Sequence, residues 1–208
     1  MKKILIHGSG HRAASWDSTV SYMRDREDIL CPDLRDILNG KEACYSNLYA
    51  SFVEYCESAG EQAHLCGLSL GGVLALSYAL DFPDRVKSLV LIGTPHKVPK
   101  GAFALQNAVF RFLPKSAFDG MPFDKRGSLA LFSSMKELDF SGRVQGIRCP
   151  ALVICGERDG ANMKSARYLA ENIRGAELEI VEGAGHVVSE EAPEALAGLL
   201  DRFYGGAK

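Results

Sequence analysis

The sequence predicts an α/β protein: a mostly parallel six-stranded sheet with helices on both faces and a short helical lid. Two observations predict it. Short apolar runs alternate with longer amphipathic or Ala/Leu-rich stretches along most of the chain, the pattern of strand–helix–strand units. The alternation breaks once, where seven of the ten phenylalanines (103, 110, 112, 118, 123, 132 and 140) crowd between Lys97 and Gly142. Residues 1–95 and 143–208 therefore read as one core domain, and 96–142 as a helical lid insert.

Lys3 to His7 is a buried strand that runs into Gly8-Ser9-Gly10-His11. Trp16 to about Arg24 reads as a short helix, with Ser15 or Asp17 at its cap. Asp28 to Cys31 is a second strand, closed by Pro32. Ser46 is placed to cap a helix reaching Ala59, with Leu48, Phe52, Tyr55 and Cys56 on one face and Gly60 as its stop. Ala63 to Cys66 is a third strand. Val73 to Leu80 is rich enough in Ala and Leu to be helical, and Phe82-Pro83-Asp84 ends it. Val86 to Ile92 is a fully apolar fourth strand.

In the insert, Ala102, Leu105, Val109 and Phe112 form one helical stripe, while Phe103 and Phe110 lie on another side. A helix apolar on two sides has two surfaces to cover. It belongs either to a pair of core helices or to a lid whose second face lines a substrate pocket, with Phe103 and Phe110 as candidate substrate contacts. Alternation then resumes. Ala151 to Cys155 is a strand, Ala161 to Ile173 a helix, and Leu178 to Val181 a strand. Glu194 to Phe203 is the last helix, with Pro193 at its start.

Apolar residues make up 47% of the chain and charged residues 24%, as in an ordinary globular protein. A formal net charge of −2 argues against a nucleic-acid partner. The six cysteines, at 31, 44, 56, 66, 149 and 155, form no CxxC pair and show no metal-ligand spacing. They read as free thiols of a reducing compartment. The apolar run after Met1-Lys2-Lys3 is too short for a secretory signal, and no run approaches the roughly 18 residues of a membrane helix. The expectation is a cytoplasmic protein with no membrane or nucleic-acid partner, and no metal or organic cofactor is implied.

The chemistry centres on Gly67-Leu68-Ser69-Leu70-Gly71, a Gly-x-Ser-x-Gly pattern between a predicted strand and a predicted helix. In such a turn the serine backbone is strained and its hydroxyl stands above the sheet edge. A side chain on Gly67 or Gly71 would collide with the neighbouring turn. The next residue, Leu70, then offers its N–H to a developing oxyanion. A serine hydroxyl needs a base, and the base needs an orienting acid. Of the five histidines, His64 lies inside a strand, and His7 is placed to brace a loop. His11 and His96 sit in loops. His186 follows the last strand in Gly183-Ala184-Gly185-His186, at the sheet edge where α/β enzymes build their sites. Asp159, in Gly156-Glu157-Arg158-Asp159, follows the fifth strand in the same way, with Glu157 as the reserve. The order Ser69, Asp159, His186 is that of a hydrolase triad on this architecture.

Further motifs accompany these: His7-Gly8-Ser9-Gly10 with Trp16, Pro32-Asp33-Leu34-Arg35, Phe82-Pro83-Asp84-Arg85-Val86, and Gly185-His186 followed by Glu191 and Pro193. Together they resemble the α/β-hydrolase superfamily over residues 1–95 and 143–205. The resemblance implies Ser69 as nucleophile, His186 as base, Asp159 as acid, and the N–H groups of Ser9 and Leu70 as an oxyanion hole. Members usually carry two antiparallel strands before the His-Gly strand; this chain starts at that strand, so the sheet is expected to be truncated to six. After Arg35, where members often continue Gly-His-Gly-x-Ser, it reads Asp36-Ile37-Leu38-Asn39-Gly40. The expected activity is hydrolysis of a small, mostly apolar ester or thioester through an acyl-Ser69 intermediate. A carbon–carbon bond hydrolase or lyase with the same triad, and a non-catalytic binder on the same scaffold, stay open.

Overall fold

The computed structural model describes residues 1–98 and 113–206. Its centre is a six-stranded sheet in the order β2-β1-β3-β4-β5-β6. The strands are β1 (Lys2–Ile6), β2 (Ile29–Leu30), β3 (Ala63–Leu68), β4 (Val86–Ile92), β5 (Ala151–Gly156) and β6 (Glu177–Val181). All five pairings are parallel. Parallel strands need crossovers, and here helices supply them: α1 (Asp17–Tyr22), α2 (Leu34–Leu38), α3 (Tyr45–Ala59), α4 (Leu70–Asp81), α5 (Lys125–Ser134) and α6 (Met163–Asn172), with α7 (Val188–Glu191) and α8 (Pro193–Gly206) after the last strand.

The central strands are apolar on both faces, as a sheet covered on two sides requires. Alternate residues divide between two cores. Ile4, Ile6, Leu65, Leu89, Leu91 and Val153 pack on one side with residues of α2, α3, α4 and α6. Leu5, Cys66, Leu68, Val90, Ile92, Leu152 and Ile154 pack on the other with Trp16 and residues of α8. The parallel register places the ends of β1, β3, β4, β5 and β6 along one edge, and the loops leaving that edge build the site.

Two local expectations change, and one short helix was not anticipated. α3 starts at Tyr45 behind Cys44, which makes no side-chain cap bond; the Ser46 hydroxyl instead lies 3.3 Å from the Cys44 sulfur. Neither Ser15 nor Asp17 caps the first helix. A 3₁₀ turn, Ala13–Trp16, runs directly into α1, so no free helix end is left to cap. The five residues of α2 are too short to show a period; Asp33 caps them by accepting from the Arg35 N–H at 3.0 Å.

Between β4 and β5 the chain leaves the sheet through a short antiparallel neck. Lys97 pairs with Asp139, the Val98 N–H donates to the Leu138 carbonyl at 3.0 Å, and the Phe140 N–H donates to that of His96 at 2.9 Å. Phe123, Leu131, Met135 and Phe140, beyond the neck, pack into the larger core. The helical stripe expected over 102–112, with Phe103 and Phe110, lies outside the described residues. Among the described residues no helix is long and apolar enough to cross a membrane.

Candidate active site

Ser69 sits between the end of β3 and the start of α4 with φ 54° and ψ −112°, a conformation that serine seldom adopts. The turn is fixed from both sides. The Ser69 N–H donates to the Ile92 carbonyl at the end of β4, 2.8 Å away. A Cβ on Gly67 would run into the Gly71 carbonyl, and one on Gly71 into the Ile6 backbone. The crowding that the two glycines were expected to relieve is therefore present. Leu70 opens α4, so its N–H has no carbonyl partner four residues back within the helix.

His186 follows β6 and Asp159 follows β5. Nδ1 of His186 lies 2.7 Å from Oδ2 of Asp159. A carboxylate accepts, so Nδ1 carries the proton and Nε2 is left as the basic nitrogen. Asp159 is buried, whereas the His186 side chain is 40% exposed. Burial alone would raise the Asp159 pKa, but the hydrogen bonds from His186 and Asn162 outweigh it and hold the carboxyl below its usual range. The acid side of the pair is thus an ionised carboxylate at neutral pH.

The loops carrying this pair are themselves tied down. The Glu191 carboxylate accepts from the N–H groups on both sides of His186, that of Gly185 at 2.8 Å and that of Val187 at 3.0 Å. Arg158 lies 3.6 Å from the same carboxylate. Glu157, the reserve acid, is turned away: its carboxylate accepts from the Gly183 N–H at 2.9 Å. It braces the loop rather than the imidazole.

Ser69 and His186 line one cavity of about 410 Å³. Ser9, Gly10 and His11 from the first loop share its wall with Leu70 and Val73 of α4, Val98 at the neck, and Phe132 and Met135 from the insert. The lining is mostly apolar. The Ser9 loop is held by His7, whose Nδ1–H donates to the Gly8 carbonyl at 2.8 Å and whose Nε2 accepts the Leu34 N–H at 3.0 Å. Both nitrogens are used, and burial pushes the His7 pKa down, so this histidine braces the loop as a neutral ring. His64 is likewise structural. It lies 2.7 Å from the Ser88 hydroxyl and edge-on to Tyr204, with a pKa pushed down to about 4 by burial. His96 is buried, 3.0 Å from the Ser165 hydroxyl and stacked on Tyr168.

Two residues of the site were missed by the sequence reading. Gly93, the residue directly after β4, has φ 52°, and a Cβ there would stand 2.9 Å from His186 Nδ1. Asn162, at the head of α6, places its amide nitrogen 3.0 Å from both oxygens of Asp159. The spacing Asp-x-x-Asn was the one available clue to the second.

The chain is similar to known proteins over nearly its whole length. The model of the alpha/beta hydrolase family matches residues 4–199. An AB hydrolase superfamily protein of Gibberella zeae is 26% identical over 96% of this chain and 78% of its own length. Monoacylglycerol lipase abhd6-A of Xenopus laevis is 24% identical over 96% of this chain and 74% of its own. Among solved structures, NosK from Streptomyces actuosus superposes with a TM-score of 0.84 at 22% identity, covering 99% of this chain and 98% of that one.

Proposed function

The chain belongs to the alpha/beta hydrolase family, and from that premise we propose that it is a serine hydrolase cleaving a small, mostly apolar carboxylic ester or thioester. The observation that carries this reading is the shared cavity. Ser69, in its strained turn, and His186, with Nδ1 engaged by Asp159, open onto the same apolar space. The Ser69 Oγ attacks the acyl carbon and its proton passes to His186 Nε2. The carbonyl electrons move onto oxygen, and the oxyanion is held by the N–H groups of Ser9 and Leu70. Each such donor typically lowers the barrier by about 3–4 kcal/mol. The C–O or C–S bond then breaks as Nε2 returns the proton to the leaving group. Water repeats the sequence on acyl-Ser69, giving its proton to Nε2, and releases the acid. Asp159 keeps the imidazole tautomer and stabilises the imidazolium.

Leu70, Val73, Val98, Phe132 and Met135 on the cavity wall support an apolar acyl or alcohol group. The name of one relative, a monoacylglycerol lipase, is in keeping with an ester substrate. The test is steady-state hydrolysis of p-nitrophenyl acetate, butyrate and octanoate by wild type and Ser69→Ala, with fluorophosphonate labelling of both. Turnover by wild type that falls to background in Ser69→Ala, together with labelling of wild type alone, is the expected result. Labelling without ester turnover moves the reading to carbon–carbon bond hydrolysis or a lyase. Neither turnover nor labelling overturns the hydrolase reading.

A further inference from the structure

The Asp159 carboxylate is buried and takes four polar contacts from two residues. Oδ2 accepts from His186 Nδ1 at 2.7 Å and from the Asn162 amide nitrogen at 3.0 Å. Oδ1 accepts from the Asn162 backbone N–H at 3.2 Å and from the same amide nitrogen at 3.0 Å. The amide orientation follows from chemistry. An Asn162 oxygen turned to Asp159 would set acceptor against acceptor, so the NH₂ group faces the carboxylate. That nitrogen also lies 3.2 Å from His186 Nδ1. Nδ1 already donates to Asp159, so no hydrogen bond joins it to the amide. What remains is the positive end of the amide dipole beside the ring nitrogen.

We propose that Asn162 is a positioning residue for the triad: its amide holds the Asp159 carboxylate edge-on to His186 and opposes a positive charge on the imidazole. The inference rests on the hydrolase reading above for its catalytic meaning, though not for its electrostatics. Two effects add. The amide shares the carboxylate charge, which weakens the pull of Asp159 on a protonated His186. Its own dipole repels that proton directly. Both act against a second proton on the ring, and so favour the free Nε2 that a base requires. Asn162 lines the cavity as well, so the same amide borders the space where substrate sits.

The other titratable groups around the pair are Cys155, whose Sγ lies 3.8 Å from the Asp159 carbonyl, Arg158 and Glu191, joined at 3.6 Å, and His11 across the cavity. Glu157 is engaged by Gly183. A substitution at 162 leaves all of these in place. It also leaves the backbone N–H of residue 162 on Oδ1, and the side chain makes no cap bond to α6.

The experiment compares wild type, Asn162→Leu and Asn162→Asp. The His186 titration is followed by NMR of ¹³C-labelled histidine, with His186→Gln to assign the resonance. The acid limb of kcat/KM for p-nitrophenyl butyrate is measured in parallel. In Asn162→Leu the His186 midpoint is expected to rise by about half to one pH unit, a shift of the size that losing one charge-assisted donor produces, and the acid limb moves with it. Asn162→Asp, which adds a carboxylate of similar shape, shifts both further upward. An unmoved midpoint in folded Asn162→Leu and Asn162→Asp overturns the proposal, whatever happens to the rate. The two readings separate cleanly. If wild type neither turns over esters nor takes the fluorophosphonate, the hydrolase reading fails, and the NMR midpoint still decides what Asn162 does.

Discussion

Replacing Gly93 with alanine tests the site at a residue that makes no side-chain contact of its own. Two costs can be worked out. The backbone stands at φ 52°, a left-handed conformation that costs a residue with a Cβ roughly 1–2 kcal/mol. For a chain of this size that lowers Tm by about 2–8 °C. The second cost falls on the site. The new Cβ would meet His186 Nδ1 at 2.9 Å, His186 Cε1 at 3.0 Å and Asp159 Oδ2 at 3.1 Å. Ordinary carbon contacts lie at about 3.5–4.0 Å, so the ring must retreat by roughly half an ångström. It retreats against a 2.7 Å bond to Asp159 and a backbone held on both sides by Glu191. Misplacement by about 1 Å can cost 100-fold, so a loss of kcat/KM on the order of 10- to 100-fold is expected. Gly175→Ala is the control. That glycine has φ 73° with nothing within 4 Å of the added Cβ, so it should lose similar stability and keep full activity. The assays are thermal unfolding and p-nitrophenyl butyrate kinetics on both variants. Folded Gly93→Ala with kcat/KM close to wild type would refute the steric argument, and so would an equal loss in the control.

Glu191→Ala removes the acceptor that ties the Gly185 and Val187 N–H groups, and should lower kcat/KM on the order of tenfold with little change in Tm; a larger fall in Tm than in rate would make Glu191 a stability residue instead. Stability should also decline as pH falls from about 6.5 towards 4. His64 is held neutral with a pKa pushed down to about 4, so below its unfolded value the unfolded chain binds more protons than the folded one. One such group gives at most ~1.4 kcal/mol per pH unit, reduced by solvent screening. His64→Gln should flatten that slope in urea melts at a series of pH values; an unchanged slope would assign it to other groups, such as His7.

What the sequence makes legible depends on how far apart the cause and the effect lie along the chain. Ser69, Asp159 and His186 each follow an apolar run that ends among small residues, so their place at a sheet edge can be read locally. The bracing role of His7 can be read the same way, since a histidine between a buried strand and a glycine loop has only backbone to bond. Ser46 shows the limit of local reading. It has the right chemistry for a cap, but the chain enters α3 two residues earlier, and the cap position falls to Cys44. The five-residue α2 shows another limit, since it completes too few turns to display a period.

Gly93 and Asn162 are of a different kind. Gly93 is required by its approach to His186, 93 positions away, and nothing in its own neighbourhood distinguishes it from a glycine that merely ends a strand. Asn162 reads as an ordinary polar residue in the predicted helix from Ala161, and its meaning appears only when the structure makes it the residue before α6 and sets its amide on Asp159. The proposed nucleophile, base and acid are therefore legible because each follows the end of a strand. The groups that set their separation and charge are not, because they act across the gaps between strands. That division also says where this chain departs from a bare triad: in the contacts that crowd and polarise the His186–Asp159 pair, which the substitutions at 93 and 162 separate into steric and electrostatic parts.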